Sequence, residues 1–341
     1  MKSSSIGLLF VLLVSSSCDK ENSQPQPEEK VIWEQAHTCL LHFEGNPLLV
    51  TSSQRSGDGA YMLDKTYKFD EEGRLLDYDP TGNEQQGAST FMGQWGTPEN
   101  STKYTYAYDT KGRLITVVAQ SLGSEAATYS LTYDTHQVYI PCPLPLADLP
   151  LYLIKGLSKV ERTDDASQKN PFVYIYDGEK ASSQTTTWMG TTTTEYTFKG
   201  MYPYKCVKKT SRAEMVLQQE ETLYAFGELG ALLAETTITT TDVPEEKTTT
   251  SLMYAKPWLL VKQATITAGM STEKYEYTYS EKGLLTSANK TSGEESASIA
   301  VSPYIFDDKG NATKADYTVS GLFYDYLPEG TITLNQTFSY K

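Results

Sequence analysis

KYTYAYDTKGRLITVV, residues 103–118, sets a pattern that much of the chain repeats. Tyr104, Tyr106 and Tyr108 alternate with Lys103, Thr105 and Ala107, the period-two signature of a strand with one aromatic face. Asp109-Thr110-Lys111-Gly112 then supplies a corner. Asp caps it with its side chain, and Gly accepts the left-handed backbone that short hairpin loops need. Arg113 to Val118 returns as a second strand, with Leu114, Thr116 and Val118 expected on one side. The stretch is predicted to be a β-hairpin.

The same grammar recurs on both sides of it. Upstream, Tyr67-Lys68-Phe69-Asp70 leads into Gly73-Arg74-Leu75. Downstream come Tyr129 to Asp134, Tyr174-Ile175-Tyr176-Asp177-Gly178, Tyr196-Thr197-Phe198-Lys199-Gly200 and Tyr224 to Leu233. Tyr275 to Leu285 and Tyr304 to Gly310 complete the set. Spacing of mostly twenty to thirty residues fits two strands and two connections per unit, the mark of a repetitive fold. Tyrosine supplies 25 aromatics against 10 Phe and 4 Trp, and its hydroxyl can reach a wet rim while the ring packs.

Tyr108-Asp109-Thr110-Lys111-Gly112-Arg113-Leu114 resembles the YD repeat of Rhs- and teneurin-type surface proteins, with a core of Tyr-Asp-x-x-Gly-Arg-Leu. Phe69-Asp70-Glu71-Glu72-Gly73-Arg74-Leu75 departs only in its Phe, whereas Tyr279 is followed by Ser280 and Phe226 by Gly227. The chain is similar, over roughly residues 60–341, to repeat-containing lipoproteins of Bacteroidetes-type bacteria grouped as a domain of unknown function. That resemblance implies a porin-like open barrel of meandering strands and no known reaction.

Met1 to Ser17 reads as an export signal: Lys2, an apolar run from Ile6 to Val14 too short to span a bilayer, then small residues before Cys18. This looks like a lipobox, making Cys18 the lipidated first residue; ordinary secretion with Cys18 incidental is the plainer alternative. Residues 18–30 form a Pro-, Gln- and Glu-rich tether. Residues 31–341 are expected to make a single β domain, interrupted by a greasy, proline-rich, irregular crossover at 141–171, with room for one helical turn. Threonine tracts between residues 185 and 251 suit strands wet on one or both sides.

Eight or nine hairpins exceed the ten or so strands at which open sheets curl or split, so the fold class is all-β, a long antiparallel meander forming a strongly curved sheet or open barrel. A transmembrane barrel would also alternate its faces. The lipobox, the Tyr- and Thr-rich strands and the terminal Lys341 count against that reading. Loss of Lys2 with the signal takes the net charge from −14 to −15, which disfavours nucleic acid and anionic surfaces as partners.

Motifs for chemistry are scarce. His37, Cys39 and His42 look briefly like a metal cluster, but on a strand His42 points away from the other two. The acidic turns at Asp70, Asp164 and Asp307 lack calcium-loop spacing. Cys39, Cys142 and Cys206 read as buried free thiols. No catalytic residue, metal or cofactor is assigned. Trp95, Trp188 and Trp258 are the ligand-binding candidates, weighed against a role filling the sheet's interior.

The expectation is a monomeric, non-enzymatic protein held at the outer membrane through lipidated Cys18, binding or scaffolding a glycan, peptide or protein. A carrier sheltering an apolar ligand in a half-barrel and a two-carboxylate glycosidase are the rivals.

Overall fold

The computed structural model describes residues 43–59, 61–82, 102–121, 125–144, 153–164, 172–187, 190–213, 215–226, 232–240, 247–256, 260–268, 271–282, 284–323 and 327–341. The chain divides into Met1–Val31 and Ile32–Lys341, and the described structure lies in the second unit. Among the described residues every regular element is a strand.

The strands begin with β1 (Leu49–Ser56), β2 (Met62–Phe69), β3 (Leu75–Gly82), β4 (Thr102–Tyr108), β5 (Leu114–Ser121) and β6 (Ala127–Tyr133). The crossover region holds β7 (Tyr139–Pro141), β8 (Leu153–Lys155) and β9 (Leu157–Arg162). Then follow β10 (Val173–Tyr176), β11 (Lys180–Thr187), β12 (Gly190–Lys199), β13 (Tyr202–Arg212), β14 (Met215–Phe226), β15 (Leu232–Thr240), β16 (Lys247–Lys256) and β17 (Leu260–Ala268). The series closes with β18 (Ser271–Tyr279), β19 (Leu285–Ser292), β20 (Glu295–Val301), β21 (Ile305–Phe306), β22 (Ala312–Ser320) and β23 (Gly330–Ser339).

Neighbours in sequence pair antiparallel throughout, apart from two skips. β6 pairs with β9, and β20 with β22, while the short β21 runs along β22 beyond the end of β20. The last strand lies beside the first: β1 and β23 pair from Leu49–Ser339 to Ser56–Ile332. The expected all-β meander therefore curves strongly enough for its ends to meet. One step stays loosely zipped. β3 and β4 share only the pairs Asp77–Thr105 and Tyr78–Tyr104, beside Pro80, which has no N–H to donate.

One face of the sheet is dry. Val50, Tyr67, Phe69, Tyr78, Tyr106, Val117, Leu131, Val160 and Tyr174 form a continuous core on it. The other face is wet and charged, with ion pairs Arg55–Asp64 at 2.6 Å, Lys180–Glu195 at 2.9 Å, Lys205–Glu221 at 2.8 Å and Lys274–Glu276 at 2.6 Å. Such a face is the reverse of a lipid-facing wall, where charge near the midplane costs about 2–4 kcal/mol each.

The reading of 141–171 as irregular is corrected in two places. β7 and β8 pair as a separate two-stranded sheet, whose Ile140 and Ile154 pack with Leu144 against the dry core. β9 belongs to the meander itself, because Leu157 and Val160 are buried while Lys159 and Glu161 take the wet side. Tyr139 anchors the excursion, stacking on Tyr202 at 5.0 Å while its N–H donates to Met201 O at 2.8 Å.

The repeat motif proves to be a physical device. In the first corner the N–H groups of Glu72 and Arg74 donate to Asp70 Oδ1 at 3.0 and 2.8 Å, and Arg74 Nε donates to Asp70 Oδ2 at 2.6 Å. In the next, Lys111 and Arg113 N–H both donate to Asp109 Oδ1 at 2.9 Å, and Arg113 Nε to Oδ2 at 2.8 Å. Gly73 and Gly112 adopt φ of 80° and 78°, where an L side chain is strained. Each arginine then lies over the tyrosine of the following unit, Arg74 over Tyr108 at 5.2 Å and Arg113 over Tyr133 at 4.6 Å. That tyrosine's hydroxyl donates back to the carbonyl of the preceding unit's leucine: Tyr108 to Leu75 at 2.8 Å and Tyr133 to Leu114 at 2.6 Å. Tyr304 repeats the latch on Leu285 at 2.8 Å.

A bulge follows this second corner, though not the one at Asp177, and it corrects the expected facing of Leu114, Thr116 and Val118. Tyr108 pairs with Leu114 but Ala107 with Thr116, so Ile115 is extra and Val117, rather than Thr116, joins Leu114 in the core. The same offset follows Leu75, Leu157, Leu285 and Ala312. Where the extra residue carries a hydroxyl it is tied down: Ser158 Oγ, Thr286 Oγ1 and Thr313 Oγ1 donate to carbonyls of Thr132, Thr278 and Ile305 at 3.0, 3.0 and 3.1 Å.

Tyr108→Phe, Tyr133→Phe and Tyr304→Phe are each expected to lower stability by about 1 kcal/mol, because a buried carbonyl loses its donor. The urea midpoint should fall at unchanged slope. Three neutral outcomes would remove the latch from the account.

Candidate functional site

Strand alternation normally places charge on the wet face, so charges on the dry face stand out. Three strands carry them side by side. Glu273 of β18, Ser292 of β19 and Glu295 of β20 share one rung of the sheet, and Tyr275, Lys290 and Ala297 share the adjacent rung. Deeper still lies the apolar rung Tyr277, Ala288 and Ile299. The two polar rungs border a cleft of about 350 Å³ lined by Glu273, Lys290, Ser292, Glu295, Ser296, Ala297 and Leu322.

On the far side lie residues 321–323, which follow β22. Gly321 crosses β20 so closely that a Cβ there would sit 3.0 Å from Ser296 O and 3.2 Å from Ala297 Cβ, at a φ of 73°. Phe323 is fully buried against Tyr275 and Tyr277, with ring centroids 5.8 and 6.5 Å away. Leu322 is left 63 % exposed on the cleft's rim.

Inside the cleft the charges are fixed by one another. Glu273 Oε1 lies 3.1 Å from Lys290 Nζ, and Oε2 accepts from Tyr275 OH at 2.7 Å. The Lys290 ammonium also sits 5.4 Å over the Tyr275 ring, and its side chain is only 11 % exposed. Burial pushes the Glu273 carboxyl up, but the Tyr275 hydroxyl and the Lys290 ammonium outweigh it and hold the group below its ordinary 4.5. Glu273 is thus an ionised anchor with both oxygens engaged.

This gives a pH expectation. Glu273 and the corner residues Asp109, Asp177 and Asp307 all have folded-state pKa values below their ordinary ones. Their contribution is full above the ordinary carboxylate values of 4.5 and 3.8 and disappears as pH falls through the lowered ones. The urea midpoint should therefore hold near neutrality and drop below about pH 4. A midpoint indifferent to acid would contradict the anchoring.

The sequence candidates fare differently. Cys18, His37, Cys39, His42, Trp95, Trp188 and Trp258 lie outside the described residues. Asp70 and Asp307 cap corners through backbone N–H groups, and Asp164 accepts from Arg162 and from Thr128 N–H. Among the described residues no group of three His, Cys, Asp or Glu is arranged to hold a metal. Cys142 and Cys206 are free thiols, pushed by burial up to about 12 and about 11. Both pack as small apolar groups.

Sequence reasoning passed over Glu273 and Lys290. Glu273 shares the parity of Tyr275 and Tyr277, a charge in an aromatic row, and that signal was legible.

No family model and no curated protein sequence matches the chain. Among solved structures, a porin-like protein from Bacteroides uniformis ATCC 8492 aligns over 87 % of this chain and 99 % of its own length, at 10 % identity and a TM-score of 0.35. A porin-like protein from Bacteroides vulgatus ATCC 8482 aligns over 66 % of this chain and 97 % of its own, at 12 % identity and a TM-score of 0.30. Likeness this distant carries no function across.

Proposed function

We propose that this chain is a lipid-anchored protein of the cell envelope that binds a small polar ligand in the β18–β20 cleft without transforming it. Export through Met1–Ser17 and tethering through Cys18 support the address, and a net charge of −14 supports a monomer that avoids nucleic acid and anionic surfaces. The observation that carries the binding reading is the Glu273–Lys290–Tyr275 triplet, an ion pair and a hydrogen bond set on the face that carries the aromatic core and bordering open volume.

Two rivals have less behind them. A glycosidase acid needs its pKa raised towards neutrality, whereas Glu273 is held down. A carrier of apolar ligands needs a hollow dry face, whereas Ile140, Leu144, Ile154 and Phe323 fill that face where they pack.

Two measurements test the proposal. The full chain expressed in a Gram-negative host should fractionate with membranes, and Cys18→Ser should release it to the soluble fraction. A Cys18→Ser chain still in the membrane fraction would refute the anchor. Screening that soluble chain against small polar metabolites should give ligands whose binding is lost in Lys290→Met. Binding indifferent to Lys290 would refute the cleft.

A further inference from the structure

We infer that the cleft takes a neutral, hydroxyl-rich ring, a mono- or disaccharide unit; this rests on the binding reading above. The lining defines what a ligand must offer. Lys290 gives one N–H to Glu273 and faces the Tyr275 ring, which leaves donor capacity of its three N–H groups turned to the cleft. Glu295 pairs with no described side chain, so its oxygens offer acceptors one rung away, with the Ser292 hydroxyl between. Donors and acceptors therefore alternate across neighbouring strands about 4.8 Å apart.

A hydroxyl satisfies such a surface better than any ion, because it accepts from Lys290 and donates to a carboxylate at once. A ligand carboxylate would accept from Lys290 but compete with Glu273 and face Glu295, and two glutamates against one lysine leave a formal charge of −1. A ligand ammonium would suit Glu295 but meet the buried Lys290 charge. Neutral polyols avoid both penalties.

Shape agrees with chemistry. Ala297 makes a small apolar floor and Leu322 an exposed apolar rim, surfaces for the C–H face of a pyranose. A volume of about 350 Å³ lies at the lower end of the ~300–1,000 Å³ range of ligand pockets, room for one or two sugar rings. Glu273 and Tyr275 are positioning residues here, since they orient Lys290 rather than supply the open valences.

The test titrates the full chain with D-glucose, D-galactose, D-mannose and N-acetyl-D-glucosamine, and in parallel with the charged counterparts D-glucuronate and D-glucosamine. At least one neutral sugar should bind with a Kd on the order of a millimolar or below and outcompete its charged counterparts. Lys290→Met should weaken that binding about ten- to hundred-fold, as expected for loss of a charge-assisted hydrogen bond. Saturation transfer from Leu322 methyls to sugar C–H protons, lost in Leu322→Ser, gives a second readout that leaves the buried pair untouched. If a charged sugar binds tighter and still depends on Lys290, the neutral class is overturned while the cleft stands. If no sugar binds, the neutral class is again overturned, and a non-sugar ligand dependent on Lys290 would leave the cleft reading in place. Sugar binding unchanged in both variants overturns this inference and places the sugar elsewhere.

Discussion

Phe323→Ala is expected to lower stability by about 3–5 kcal/mol, the range for emptying a buried phenylalanine site. The ring is fully buried and packs against both Tyr275 and Tyr277. A cavity that large is not closed by small shifts of the two tyrosine rings, so most of the loss persists. The urea or thermal midpoint would record the loss. Phe323→Leu keeps most of the volume and should cost much less, about 1–2 kcal/mol. Because residues 321–323 flank the cleft, ligand affinity should fall in Phe323→Ala under conditions where the chain remains folded. Full affinity in that variant would show that Phe323 plays no part in binding.

Asn311→Ala carries the second large effect, about 3 kcal/mol, through hydrogen bonding rather than volume. Asn311 is fully buried, and its side chain joins three separate parts of the chain. Its Oδ1 accepts from Glu44 N–H, and its Nδ2 donates to Glu44 O at 2.9 Å and to Tyr340 OH at 2.6 Å. Tyr340 in turn donates to Asp307 Oδ2 at 2.8 Å, in the corner that Asn311 itself closes. Removing the amide deletes both hydrogen bonds that tie the Glu44 backbone to the place where the first and last strands meet. Amide exchange at Leu48, whose N–H donates to Ser339 O at 2.8 Å, should accelerate with the loss. Asn311→Asp should be nearly as damaging, since a carboxylate cannot donate to Glu44 O and adds charge beside Asp307. Wild-type exchange at Leu48 in either variant would show that the chain ends are held by strand pairing alone.

Local chemistry made the architecture readable. Aromatic alternation, a capping aspartate and a glycine at positive φ are decided within a dozen residues, so Tyr67, Tyr108, Tyr224 and Tyr279 all fall in antiparallel strands as their pattern implies. The bulges were not readable. A single extra residue after Leu114 or Leu285 reverses the facing of everything downstream, and nothing in an aliphatic return strand marks it. That is why Lys290 was missed: counted from Leu285 without the offset, it falls on the wet face. The membership of β9 in the sheet was hidden by the prolines around it, which mask a short alternation of Leu157, Lys159, Val160 and Glu161. The cleft depends on register across three strands and on residues 321–323 from beyond β22, relations that no short window contains.

The latch from one tyrosine to the preceding leucine has a consequence for how such a chain changes size. Where a hairpin ends in such a corner it brings its own offset, and at Tyr108, Tyr133 and Tyr304 a grip on the neighbouring unit, so there the width of the wall is set by local parts and not by a global plan. Duplicating residues 102–126 in frame would splice in two more staves and make one new seam, where the edge of β5 that now pairs with β6 meets the second copy of β4. The wall would widen while the cleft, built elsewhere along it, kept every one of its contacts.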